Sequence, residues 1–286
     1  MKLDGRRTSS NVDDRRGRSA GKIGGISLGG IIIAAIIYFT TGDLNKSLSS
    51  LSTQQVSSNT EQVAYQGTPE EEALATFTSQ ILAGTEDVWT KIFKEQGLQY
   101  KAPKLVLFTG SVQSGCGGAT ASSGPFYCSA DQTVYIDLSF FMTMKKQFGT
   151  AGDFAYAYVI AHEVGHHVQY LLGTLSDAHN EMSRSSKTES NKISVRLELQ
   201  ADFYAGVWAH NDNKMFGSLE EGDVDEGLAI AAKIGDDYLQ EKAYGRSQPE
   251  TFNHGTSAQR SRWLKKGIQC GDIKQGDTFS PAYNKL

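Results

Sequence analysis

Eighteen consecutive residues without a charge, IGGISLGGIIIAAIIYFT at 23–40, divide this 286-residue chain into unequal parts. At about 1.5 Å of rise per residue the run spans roughly 27 Å as a helix, close to the roughly 30 Å of a bilayer's hydrocarbon core. Its glycines weaken a soluble helix but are tolerated in membrane helices, and Tyr38-Phe39 closes it with the aromatic pair that suits a headgroup boundary. Two plainer readings fit less well. A cleaved signal peptide lacks its A-x-A-like site after the run, and a buried core helix normally keeps a polar face. The run therefore predicts an uncleaved transmembrane anchor.

Charge gives the anchor a direction. Residues 1–22 carry seven Lys or Arg against three Asp, a balance of +4, while the whole chain stands at −4, which leaves −8 for the rest. The positive-inside bias predicts a cytoplasmic N-terminal segment over 1–22, an inner-membrane anchor over 23–40 and everything beyond on the periplasmic or extracytoplasmic side. Residues 41–67, rich in Ser, Thr, Gln and Asn, read as a flexible stalk. Residues 68–286 are long enough for one domain with its own core. An acidic body of ordinary apolar content excludes nucleic acid as the main partner and excludes a wholly disordered chain. Three cysteines are too few for a disulfide-stapled miniprotein.

Within 68–286, Thr68-Pro69-Glu70-Glu71-Glu72 reads as a capped helix start, followed by apolar residues at helical spacing to Phe93. Lys104–Thr109 and Thr133–Phe141 read as strands, separated by a Gly/Ser-rich stretch. Asp153–Leu172 is a long helical pattern, 176–191 a polar loop, and further helices are expected over about 193–209 and 223–243.

The sharpest chemistry lies in His162-Glu163-Val164-Gly165-His166. Residues four apart share a helix face, so both imidazoles can meet one ion, and Glu163 stands where a general base for a metal-bound water belongs. Gly165 weakens the helix and points to close approach of another segment. His167 projects about 100° away, as a packing or supporting residue. A catalytic zinc ion takes three protein ligands and leaves a position for water. The third is sought downstream, and Glu198 is the best candidate. Asp202, four residues on, shares its face and suits the second N–H of a ligand histidine. His179 and His210 are rival ligands. Two His and one carboxylate would also accept iron or cobalt.

This pattern resembles the glutamate-zincin metallopeptidases, of which thermolysin is the familiar member, and more closely a bacterial family of neutral zinc metallopeptidases. The segments that carry the likeness are MKLDGRR, GCGGA…GPFYC…D…VYIDLSFF, AYVIAHEVGHHVQ, RLELQADFYAGVWAH and HGTSAQRSRW, which together span nearly the whole chain. The resemblance implies an α+β, zincin-like fold with a short sheet and an active-site helix. It also implies one Zn2+ held by His162, His166 and Glu198, with Glu163 as general base. It suggests that Thr133–Phe141 forms the sheet edge on which an extended peptide lies; a plain core strand fits equally, and Asp137 within it should face solvent or a partner. His254 stands where a late histidine donates to the carbonyl oxygen in thermolysin-like enzymes, the alternative being an Asn-His-Gly turn without a catalytic role. Arg260 and Arg262 could orient substrate or balance the acids and are left unassigned. Cys116 and Cys128 bracket the Gly/Ser/Pro-rich loop, where a bridge suits an oxidising compartment and would stabilise by about 2–3 kcal/mol. A second zinc pair lacks nearby partners, and Cys270 is left over. The expectation is a membrane-anchored zinc metallopeptidase acting on a peptide or protein substrate. A non-catalytic zinc-stabilised scaffold and a cell-wall peptide amidase are the rivals.

Overall fold

Residues 154–165 of the HEVGH helix, together with 167–169, are buried around the whole circumference, a condition a helix meets only when neighbours cover every side. The computed structural model describes residues 1–17, 67–148 and 152–286, and in it this helix, α3 (Asp153–Leu171), is the axis about which the other elements pack. Before it come β1 (Val12–Asp14), α1 (Pro69–Glu95), β2 (Lys104–Phe108), β3 (Ser111–Ser114), β4 (Gly117–Thr120), β5 (Phe126–Cys128), β6 (Thr133–Asp137) and α2 (Ser139–Phe148). After it come α4 (Thr174–Met182), α5 (Lys187–Phe216), α6 (Asp223–Lys233), α7 (Asp236–Tyr244) and α8 (Ser257–Cys270). The α+β expectation holds, with helices predominating. Trp89, Tyr158, Phe154, Phe203 and Trp208 fill the shared core of α1, α3 and α5.

The main sheet runs β1-β2-β6-β5, with β1, β2 and β6 parallel and β5 antiparallel to β6; β3 and β4 form a separate hairpin. This decides between the two readings of Thr133–Phe141. β6 has a strand on each side, so Thr133–Asp137 is a core strand, and the edge is β5. The strand also stops four residues short of Phe141. Asp137 is buried, and its carboxylate accepts from Ser139 N at 2.9 Å and from Gly110 N at 2.7 Å, which turns the chain into α2. The acid that was expected to seek solvent or a partner finds backbone donors.

Other boundaries shift for similar local reasons. The capped start of α1 forms as expected, and the structure makes it a capping box between Thr68 and Glu71. The stretch 176–191 is not a loop: α4 occupies much of it, and α5 starts at Lys187 behind the Ser186 cap. The helix expected over 223–243 breaks into α6 and α7, because Asp236 Oδ2 accepts from the backbone N–H groups of Asn253, His254 and Gly255.

The basic N-terminal segment departs furthest from expectation. Residues 1–17 are not detached from the domain. β1 pairs with β2 through Val12, Asp13 and Asp14, Lys2 N donates to Ser218 O, and Ser9 N donates to Ser79 O. Its cations are matched by acids: Arg6 with Asp212, Arg7 with Glu86 and Asp87, and Arg16 with Asp14 and Glu72. For these arginines the charge asymmetry along the chain is a complementarity within the fold, and a domain taken as 68–286 omits one strand of its own sheet. The apolar run 23–40 and the stretch assigned to a stalk lie outside the described residues, apart from Gly67. Among the described residues no helix is long and apolar enough to cross a membrane.

Candidate metal centre

Three donor atoms converge where α3 crosses α5. His162, His166 and Glu198 each offer a ligand atom, all within 4.8 Å of one another. Glu198 Oε2 lies 3.1 Å from His162 Nε2, and Glu198 Oε1 lies 3.4 Å from His166 Nε2. Zinc bonds of about 2.0–2.1 Å at tetrahedral angles hold ligand atoms about 3.3 Å apart, so the spacing fits such an ion, and two imidazoles with a carboxylate are a donor set zinc accepts. The crossing is close because of Gly165: a Cβ there would stand 3.0 Å from the Ala201 carbonyl oxygen of α5.

The second nitrogen of each histidine fixes its tautomer. His162 Nδ1 lies 2.8 Å from Asp202 Oδ1, and a carboxylate only accepts, so Nδ1 carries the hydrogen. Behind His166 the inference takes one more step. Gln169 Nε2 donates to the Leu197 carbonyl at 2.8 Å and to Gln200 Oε1 at 3.0 Å, so its oxygen faces His166 Nδ1 at 2.8 Å and accepts from it. Both Nε2 atoms are thereby turned towards the point where an ion could be held.

Asp202 is the hub of a buried network. Arg260 grips it through Nε to Oδ2 and Nη2 to Oδ1, both at 2.9 Å, and Tyr158 donates to Oδ1 at 2.5 Å. Arg260 arrives from α8, which lies against α5 because Gly206 and Gly267 meet where a Cβ on either would collide with the opposing backbone. Burial opposes charge on Asp202, but the Arg260 guanidinium and then His162 outweigh it and hold the carboxyl down to about 2. Burial likewise opposes the imidazolium of His162, and the Asp202 and Glu198 carboxylates overcome it, pushing the ring up to about 10; binding an ion therefore displaces a proton. Glu198 is held well below the usual carboxylate range by His166 and His162 despite its burial.

Glu163 follows His162 and opens onto a groove of about 750 Å³ that also exposes His162, His166 and Glu198. It is 9% exposed and makes no hydrogen bond among the described residues. Burial raises its pKa, countered in part by His162 and His166, which suits a carboxylate that takes up a proton. His254 lines the same groove. Its Nδ1 lies 3.1 Å from Asp236 Oδ1, which fixes the ring and, against the effect of burial, raises its pKa.

The remaining sequence candidates fall elsewhere. His179 borders the groove outside the donor cluster, and His210 Nδ1 lies 2.8 Å from the Ile268 carbonyl at the far end of α5. Cys116 and Cys128 are bridged, with Cα atoms 5.8 Å apart, and Cys270 is the free thiol. Sequence reading missed Gln169 and Tyr158 as supports, and of the two roles open to Arg260 the structure shows the balancing of an acid, Asp202. Gln169 and Tyr158 stand three residues after His166 and four before His162, spacings that place them on the ligand face, whereas no spacing links Arg260 to Asp202.

The comparisons with known proteins agree with this geometry. A family described as "Putative neutral zinc metallopeptidase" matches residues 1–279. The "Uncharacterized protein YpfJ" of Escherichia coli (strain K12) is 46% identical over 286 residues, covering 98% of this chain and 99% of that one. The "Uncharacterized protein Rv2575" of Mycobacterium tuberculosis is 44% identical over 193 residues, 64% of each chain. No solved structure matches the chain.

Proposed function

Because the chain belongs to the neutral zinc metallopeptidase family, we propose that it is a working, zinc-dependent hydrolase of peptide bonds with a zincin-like catalytic arrangement. The observation that carries this is Glu163: a nearly buried carboxylate without a hydrogen-bond partner among the described residues, beside a three-donor cluster and open to a groove. His162, His166 and Glu198 would hold the ion, which when bound lowers the pKa of water towards about 7 and polarises a carbonyl. Glu163 takes the proton of the attacking water and returns it to the leaving amine. His254, its ring fixed by Asp236, donates to the carbonyl oxygen as negative charge builds there. Asp202 and Gln169 keep the ligand rings in register. The open groove favours an enzyme over a zinc-stabilised scaffold, and a cell-wall peptide amidase would use the same residues.

The test uses the full chain, since residues 1–17 belong to the fold. About one zinc per chain, lost in Glu198→Ala, with cleavage of casein or a peptide library that Glu163→Gln abolishes while retaining zinc, is the expected result. Zinc without cleavage on any substrate would sink the catalytic reading.

We propose membrane attachment through 23–40 in an amended form. A strand paired with β2 cannot lie across a bilayer from β2, so residues 1–17 share a compartment with the catalytic domain, and the run attaches without carrying either end across. The Cys116–Cys128 bridge favours the periplasmic or extracytoplasmic side. A membrane-impermeant maleimide on intact cells tests this, with native Cys270 reporting the domain and Asp4→Cys, in a Cys270→Ala background, reporting the N-terminal segment. Labelling of both is expected, and labelling of one alone would restore a single crossing.

A further inference from the structure

We propose that His167, the histidine beside the metal pair, is a positioning residue that holds one wall of the groove in register with the zinc donors. The inference rests on the peptidase reading above for its substrate. Its geometry comes from a different part of the molecule.

His167 is fully buried and projects away from the ion, between three elements. Its Nε2 lies 2.7 Å from the Lys101 carbonyl, ahead of β2, and its Nδ1 lies 2.9 Å from the Tyr127 hydroxyl on β5. A carbonyl only accepts, so Nε2 carries the hydrogen; in the neutral ring Nδ1 is then a bare acceptor for the tyrosine O–H. Tyr100, Tyr127 and Tyr170 box the ring, with centroids at 6.0, 5.3 and 6.3 Å. Both nitrogens are used and the ring has no room to turn.

The strand this fixes needs fixing. β5 is three residues long and lies at the sheet edge, paired to β6 on one side. Its Phe126 and Tyr127 face the groove that holds His162, Glu163, His166 and Glu198. The disulfide at Cys128 ties the strand to the β3–β4 loop region. Among the described residues, only the Tyr127–His167 bond ties the strand's side chains by hydrogen bond to α3, the helix carrying two of the three donors. A phenylalanine at 167 would fill the box, yet it would take the partner from a part-buried hydroxyl and a carbonyl. The pairing His166-His167 thus divides two tasks between neighbours: one ring faces the ion, and the next sets the distance from the ion to the wall that a bound peptide touches.

The test compares wild type, Tyr127→Phe, His167→Gln and the double variant as full-length, zinc-loaded chains. Glutamine keeps a donor towards Lys101 and loses the acceptor for Tyr127; Tyr127→Phe removes a single oxygen and keeps the test valid if His167→Gln misfolds. Two probes separate the wall from the ion: acetohydroxamate, which reaches the metal alone, and a dipeptide hydroxamate with leucine and phenylalanine side chains, which also reaches the wall. The ratio of the two affinities is expected to fall about tenfold in each single variant and no further in the double, because both remove one bond. With a cleaved peptide, KM rises by a similar factor while kcat stays within about twofold and zinc remains at one per chain. An unchanged ratio, additive effects, or acetohydroxamate weakening in step with the dipeptide would overturn the proposal. A wild type that binds both probes yet cleaves nothing would overturn the peptidase reading and leave the ratio to decide this one.

Discussion

His162 and His166 present the same atom to the same point from one helix, yet they are supported in opposite ways. Behind His162 stands a charged assembly of Asp202, Arg260 and Tyr158, drawn from three helices. Behind His166 stands a neutral relay, from Gln169 to Gln200 and on to the Gly276 carbonyl. Charge balance explains the asymmetry. Two buried carboxylates, Glu163 and Asp202, and the partly buried Glu198 face one buried guanidinium, Arg260, and a divalent ion would bring the set to neutrality. A second carboxylate behind His166 would leave an uncompensated buried charge, which an amide avoids while still fixing the tautomer. Two equivalent ligands can thus differ in how their loss is felt.

The largest expected difference is in stability. Asp202→Ala leaves Arg260 buried without its partner and should cost about 3–5 kcal/mol. Gln169→Ala orphans neutral groups and should cost about 1–3 kcal/mol. Urea unfolding of the zinc-loaded chains reads both, and equal or reversed losses would break the comparison.

His167 sharpens it from the acid side, since its hydrogen-bond partners are neutral and the one charge acting on its ring, the Lys101 ammonium, pushes the same way as burial. Burial holds its pKa down to about 4, below the 6.5 of a free imidazole. The unfolded chain therefore takes up a proton that the folded chain refuses between those values. Stability from this site is complete above about 6.5 and is lost as pH falls to 4, by about 3 kcal/mol at 1.36 kcal/mol per unit. His167→Gln should flatten the stability profile over that window, and a profile as steep as wild type would show that the ring is not the titrating group.

The smallest effect concerns the ion itself. Asp202→Asn, which keeps shape and removes charge, should weaken zinc by roughly 10–100-fold, and Gln169→Leu by nearer tenfold. Competition with a chromogenic chelator ranks them. Gln169→Leu losing more than Asp202→Asn would mean that orientation matters more than charge.

The same contrast separates what was legible in the chain from what was not. His162, His166, Glu198 and Asp202 are visible because each pair is four apart on a helix, and local geometry alone puts four-apart residues on one face. Gln169 and Tyr158 obey the same rule and were overlooked because amide and phenol carry no metal-ligand signature. Arg260 lies 58 residues from Asp202, and only the docking of α8 on α5 through Gly206 and Gly267 joins them. Element boundaries failed where a polar side chain redirected the backbone, as Asp137 does at the end of β6 and Asp236 does at the start of α7.

The N-terminal segment shows the limit most plainly. Composition registers seven cations at one end and an acidic body at the other, and it has no means of telling a topogenic charge from one half of an ion pair. By itself the sequence determined the helix that carries His162, Glu163 and His166 and the two-carboxylate face that answers it, because helical periodicity is a local property of the chain. Tertiary structure alone decided which strand forms the sheet edge, which cation balances Asp202 and where residues 1–17 belong, because those depend on contacts between residues distant along the chain.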